Sequence, residues 1–272
     1  MQRCIKGGGA NLYGEIIKSK DNPVIKLYQK LSSQKKERLL YGLFVLEGLR
    51  IVQDAIREDK DIKHLLVTVD AMNKYSDEFS QVDLKDTKLI VISNELGNKI
   101  AQTEKTQGVF AICSIPQQTE ILFEENGKYI VLHELQDPGN VGMIIRTADA
   151  LGIDGIIMCK CCDLYSPKVI RSTMGSVFRM KISIVNDTQR LFELLQKNNV
   201  SSFASVIDKD ADNVKTSDFS GACAVFIGNE GNGLPCDVAE HCDHKVTIRM
   251  NGTINSLNAA MAAGILMWEL KS

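Results

Sequence analysis

The sequence predicts an α/β protein built in two parts. Short apolar runs of strand length alternate with segments of helical period, the pattern of sheets covered by helices. A polar stretch near the middle interrupts this alternation, which then starts again.

In the first part, Asn22 to Leu31 places Val24, Ile25, Leu27, Tyr28 and Leu31 at helical spacing, with Lys26 and Lys30 outward. Leu43 to Leu46 is a short apolar run, and Gly48 to Arg57 reads as a helix. His64 to Val69, Lys88 to Ile92 and Val109 to Ile112 read as strands, so a small α/β domain is expected over residues 1–115. Pro116 to Lys128 is polar and reads as the linker. The second domain is expected over residues 129–272, with strands at Ile130 to Leu132, Ile156 to Met158, Ile182 to Val185, Phe203 to Val206, Ala224 to Ile227 and Val246 to Ile248. Helical segments between them, notably Thr188 to Lys197, imply a mostly parallel sheet.

A chain of 272 residues with 44% hydrophobic content can bury a substantial core. It has no run of about 18 apolar residues, so no spanning helix is expected. Met1 to Ala10 lacks the apolar middle of a signal peptide, and Gly7 to Gly9 reads as a flexible lead-in, so a cytoplasmic protein is expected. Eight cysteines in this length do not make a disulfide scaffold. Their spacing around Cys159, Cys161 and Cys162, or around His241, Cys242 and His244, is not that of a zinc site, and no metal is expected. A net charge of −2 does not mark a nucleic-acid binder, but the distribution is uneven. Lys18, Lys20, Lys26, Lys30, Lys35, Lys36 and Arg38 lie close together against only Asp21 and Glu37. Such a segment is either a solvated helix face or a local phosphate-binding surface.

Three segments of the second domain can carry chemistry. Leu135 to Ala148 follows a strand and opens a helix, where ligands of parallel sheets bind. There Asn140 is suited to cap the helix, Val141, Ile145 and Ala148 would pack on the sheet, and Gly142, Arg146 and Asp149 share another face. Phe226 to Pro235 carries three glycines in six residues, which bring backbone close to a ligand, with Glu230 available to accept hydrogen bonds. Ile248 to Leu266 runs from a strand through a turn into a helix rich in small residues. Ser256 and Asn258 stand at that helix start, and Leu257, Met261, Ile265 and Trp268 form an i, i+4 stripe.

In this order and separation the three segments resemble the signature motifs of the SpoU/TrmH branch of the SPOUT RNA methyltransferases. The likeness covers Tyr129 to Leu270, and Tyr165 to Ser176 is similar to the family's segment near the RNA. Asn22-Pro23 and Phe44 to Gly48 resemble the substrate-binding domain often placed before the catalytic one. The resemblance implies a trefoil knot in the second domain, whereas pattern alone gives an open Rossmann-like sheet. It also implies a homodimer that uses S-adenosylmethionine to methylate a ribose 2′-hydroxyl of structured RNA, ribosomal rather than transfer RNA. The catalytic residues carried over are Asn140, Arg146, Glu230, Ser256 and Asn258; Arg146 is the principal one, and Glu230 braces it or the RNA. Gly228, Glu230, Ile248, Met250, Leu257 and Asn258 would hold the cofactor. Arg171 and Ser172 would contact RNA, with Lys26, Lys30, Lys35, Lys36 and Arg38 in the first domain. The chain departs from the family's pattern at Arg249, commonly proline, and at Asn232 and Asn255, commonly acidic.

Two other readings compete. A non-catalytic RNA-binding protein on the same fold is compatible with those departures. A nicotinamide-dependent oxidoreductase fits the alternation but lacks the G-x-G-x-x-G turn and its acidic ribose partner.

Overall fold

Asn22 and Pro23 start the first helix by complementary means. The Asn22 side chain accepts from the Val24 N–H at 2.9 Å, and Pro23 needs no partner in the first turn. The structure, a computed structural model, describes residues 15–80, 87–117, 122–254 and 256–272. The lead-in at Gly7 to Gly9, Asn255 and part of the expected linker lie outside the described residues. The chain forms two compact units, Met1–Pro116 with Tyr165–Arg171, and Gln117–Leu164 with Ser172–Ser272.

The first unit runs α1 (Pro23–Ser33), α2 (Lys35–Tyr41), β1 (Leu43–Glu47), α3 (Leu49–Arg57), β2 (Ile62–Thr68), α4 (Val69–Lys74), α5 (Ser76–Ser80), β3 (Lys88–Ile92), α6 (Asn94–Ile100) and β4 (Val109–Ser114). Its four strands lie in the order β1-β4-β2-β3, with β4 antiparallel to both neighbours and β2 parallel to β3. Ile25, Tyr28 and Leu31 of α1 are buried with Leu66, Ile92, Leu96, Phe110 and Ile112, the core the helical spacing predicts. The buried Glu47 carboxylate is satisfied by the N–H groups of Gln102 and Thr103 at 2.8 and 3.3 Å. Gly48, with φ of 114°, makes the turn into α3 that a side chain would strain.

The second unit contributes β5 (Lys128–His133), α7 (Pro138–Leu151), β6 (Gly155–Cys159), β7 (Ile182–Val185), α9 (Thr188–Lys197), β8 (Ser201–Ser205), β9 (Asp212–Asn213), β10 (Cys223–Ile227), α10 (Cys236–His241), β11 (His244–Thr247) and α11 (Ala259–Leu270). The helix α8 (Pro167–Ser172) belongs with the first unit through Arg171. All seven strands are parallel, as the apolar runs predict, in the order β7-β6-β5-β10-β8-β11-β9. That order corrects the open Rossmann-like sheet expected from alternation. Three strands follow the doubly wound order, then β10 is inserted between β5 and β8. The two-residue β9 was not expected, being too short and polar to show as a run. Lys128, placed in the linker by composition, is the first residue of β5 and pairs with Cys223 of β10.

Candidate functional site

The candidate site lies at the carboxyl ends of β5, β10 and β11, within the second unit. Beyond β5, Glu134 holds a φ of 60°, and beyond the neighbouring β6, Lys160 holds 52°. Left-handed backbone at two adjacent strand ends is costly for residues with side chains, and it turns both carbonyls onto one group. The Gln136 side chain donates to the Glu134 and Lys160 carbonyls at 3.2 and 3.0 Å.

Asp137, not Asn140, caps α7: its carboxylate accepts from the Asn140 N–H at 2.8 Å. The expectation of an Asn140 cap fails because Pro138 takes the first helical position, which puts the cap one residue before it. The Asn140 side chain is thereby spared for other partners. Its Nδ2 donates to Glu230 Oε1 at 3.2 Å, and its Oδ1 accepts from Asn258 Nδ2 at 2.9 Å. A carboxylate can only accept, so Glu230 fixes which end of the Asn140 amide faces Asn258. Asn258 in turn caps α11 through Oδ1, accepting from the Ala260 and Met261 N–H groups at 2.9 and 3.3 Å. One residue from each sequence segment thus joins a single hydrogen-bonded row.

Glu230 also accepts from the N–H groups of Gln136 and Asp137 at 3.2 and 3.0 Å. Burial pushes its carboxyl up, but the bonds from Asp137, its own amide, Gln136 and Asn140 outweigh this and hold the pKa below the ordinary value. Glu230 is therefore an ionised brace for the turn into α7. Of the two roles expected for it, bracing Arg146 or the RNA, no bond to Arg146 is seen among the described residues. Arg146 is exposed two turns into α7 and makes no ion pair among the described residues.

Asn229 is the residue the sequence reading missed. Its Nδ2 donates to the Glu134 carbonyl at 2.9 Å, and its Oδ1 accepts from the Gly231 and Asn232 N–H groups. An asparagine before two glycines is a signal for such a turn. Gly228 is required by the same loop, since a Cβ there would lie 2.1 Å from the Gly233 carbonyl carbon. Gly142 likewise serves packing, with Ser172 Oγ 1.9 Å from where its Cβ would stand. Ser172 donates to the Pro138 carbonyl at 3.1 Å, and Asp149 accepts from Arg179.

The other sequence candidates are spread. Ser256, Met250 and Leu257 are exposed around the loop into α11, with Ile248 half-buried. Arg38 is buried, donating to the Leu31 carbonyl, which takes it off the basic surface; Lys26, Lys30, Lys35 and Lys36 stay exposed. The Nη1 of Arg171 is buried without a hydrogen-bond partner. Of the stripe Leu257, Met261, Ile265 and Trp268, three are turned outward at 38, 57 and 63% exposure and Ile265 is half-buried, because Ala260, Ala263, Leu266, Met267 and Leu270 take the inward positions.

Residues 127–268 match the SpoU rRNA methylase family, and residues 22–111 match the MRM3-like substrate-binding domain. The chain belongs to the SpoU rRNA methylase family. It is 30% identical to an uncharacterized tRNA/rRNA methyltransferase of Synechocystis, over 94% of this chain and 93% of that one. With the 23S rRNA (guanosine(2553)-2′-O)-methyltransferase RlmP of Bacillus subtilis it shares 28% identity, over 94% of this chain and 98% of that protein. The SpoU methyltransferase AviRb from Streptomyces viridochromogenes, solved in complex with AdoMet, superposes with a TM-score of 0.83 at 27% identity, covering 92% of this chain and 97% of that one. As a family member the chain has both parts that the sequence motifs imply, the methylase domain and the substrate-binding domain.

Proposed function

We propose that the protein transfers the methyl group of S-adenosylmethionine to a ribose 2′-hydroxyl of ribosomal RNA. The observation that carries this reading is the row Glu230–Asn140–Asn258, which ties three motif segments together at the carboxyl edge of a parallel sheet. The residues present suit the cofactor. Ile248, Met250 and Leu257 offer apolar edges to a purine, and the closed turn at Gly228, where no side chain fits, leaves backbone groups for polar contacts. S-adenosylmethionine supplies an electrophilic methyl sulfonium, so the protein's task is alignment and activation of a weak alcohol.

Arg146 is the group for activation. A guanidinium stays charged at working pH, so it acts by orienting a phosphate and stabilising developing alkoxide charge, not by taking the proton. Asn140, held at both ends of its amide, and the Ser256 hydroxyl position the ribose. Glu230 stays ionised and keeps Asn140 in place. The relatives' names favour ribosomal over transfer RNA, and a ribosomal substrate puts the work in the cytoplasm. The knotted path implied by the resemblance belongs to the same reading, as does the homodimer. Met143, Met261 and Trp268 are 52, 57 and 63% exposed and line an open groove of about 450 Å³ with Thr147, Ala260 and Gly264. Arg146 stands three residues from Met143 on the same side of α7, so a second copy on this face completes the site around it.

The test is incubation with radiolabelled S-adenosylmethionine and undermodified total RNA, followed by identification of the labelled nucleosides. Label in a 2′-O-methylated nucleoside of ribosomal RNA, lost in Arg146→Ala, is expected. Label on a base overturns the ribose assignment. Absence of cofactor binding favours the non-catalytic RNA-binding alternative.

A further inference from the structure

Within the second unit, the chain from Ser172 to Arg179 crosses the face of α7 that carries Arg146. At its start Ser172 lies against Gly142 and donates to the Pro138 carbonyl at 3.1 Å. At its end Arg179 donates to the Asp149 carboxylate through Nε and Nη2, at 2.9 and 2.6 Å. At roughly 100° per residue, Arg146 stands about 40° from Gly142 and about 60° from Asp149. Between the two anchors Thr173, Ser176 and Phe178 are buried, while Met174 is 42% exposed.

The backbone at Met174 is the outlier. The Ser176 N–H donates to the Thr173 carbonyl at 3.1 Å around two residues of positive φ, Met174 at 50° and Gly175 at 89°. Such a mirror-image turn suits asparagine, aspartate or glycine at its first central position, so a methionine is held there at a cost. Of the described residues that hold a side chain at positive φ, Asp59, Glu134, Lys160, Met174 and Asn199, only Met174 is apolar. A single surface methionine needs no explanation, but one kept in a strained turn between these anchors does. Two residues span at most about 7 Å, and Arg146 is about 6 Å along α7 from Gly142, so Met174 and Arg146 can reach one nucleotide. A polarisable thioether suits the flat face of a base, while the guanidinium takes the phosphate.

We propose that Met174 packs on the base of the target nucleotide and so holds its ribose towards Arg146. This rests on the RNA-methyltransferase reading above. The test compares Met174→Gly, Met174→Asn and Met174→Leu in steady-state methyl transfer to undermodified ribosomal RNA, with S-adenosylhomocysteine calorimetry, sedimentation and thermal melts alongside. Glycine and asparagine suit the turn, so both variants are expected to melt no lower than the wild type. Both are expected to lose roughly tenfold in kcat/KM for RNA, with cofactor affinity and sedimentation unchanged. Met174→Leu keeps the apolar volume and is expected to stay within about twofold of the wild type. Wild-type kcat/KM in the glycine and asparagine variants overturns the proposal, and so does a leucine variant as slow as they are. A loss of transfer that comes with weaker cofactor binding, altered sedimentation or a lower melting temperature also overturns it, since Met174 then serves the cofactor, an interface between copies, or the fold. Labelling of RNA by the wild type separates the two failures: label with an indifferent Met174 sinks this inference alone, and no label on any RNA sinks the reading beneath it.

Discussion

In the proposed reaction Glu230 acts without touching the reacting atoms. Its carboxylate holds two backbone N–H groups and the Asn140 amide, and these bonds keep it ionised. Glu230→Gln is expected to cost only about 1 kcal/mol in denaturant unfolding, because the group is exposed to solvent. Methyl transfer is expected to fall at least tenfold, since Asn140 loses the charge that orients it; equal activity would remove the brace from the mechanism. Arg146→Lys tests guanidinium geometry, and a hundredfold loss of kcat on the order of an oxyanion donor is expected, with cofactor binding intact. His133 makes a separate prediction. Its Nδ1 is buried without a partner, and burial lowers its pKa, only partly offset by Glu134 and Asp237. Below about pH 6.5 the unfolded chain accepts a proton that the folded site refuses, so stability falls as the pH drops through that range. His64, lowered by burial and by Lys88, adds in the same direction. Denaturant melts at about pH 7.5 and 5.5 are expected to show this loss, diminished in His64→Gln/His133→Gln, and equal midpoints would refute it.

At the scale of elements, the loop after β10 depends on backbone approach. The Cβ of Gly228→Ala would meet Gly233 and Leu234 backbone atoms at 2.1 and 2.2 Å, and backbone cannot yield as a side-chain tip does. A loss of about 1–3 kcal/mol is expected, together with weaker S-adenosylhomocysteine binding in calorimetry. Helix α11 is apolar all round, with one face on the unit's interior and the other outward at Met261 and Trp268. If that face is the dimer surface, Met261→Glu/Trp268→Glu yields monomer in sedimentation and loses methyl transfer while still folding. A variant that stays dimeric would place the interface elsewhere.

Each unit of the whole molecule has its own core, one around Tyr28 and Phe110 and one around Tyr129 and Phe226. A cofactor bound at the proposed site acts directly on the second. S-adenosylhomocysteine at a hundredfold excess over its Kd is expected to stabilise that unit by about 2.7 kcal/mol, while NAD leaves the melting temperature unchanged. Stabilisation by NAD would instead revive the oxidoreductase reading.

The strands and helices were legible because their apolar spacing is local, as at Lys88 to Ile92 and Thr188 to Lys197, whose observed bounds equal the expected ones. The three segments that meet at the candidate site were legible as well, since glycine turns and helix starts are written in adjacent residues. The strand order was not, because the insertion of β10 between β5 and β8 is a long-range pairing that no short window encodes. The same limit hid the partners of Glu230 and the inward turn of Arg38. Sequence determined which groups exist and on which elements they stand. Only the tertiary structure decided which of them meet, because hydrogen bonds between residues some ninety or more positions apart are set by packing and not by local propensity.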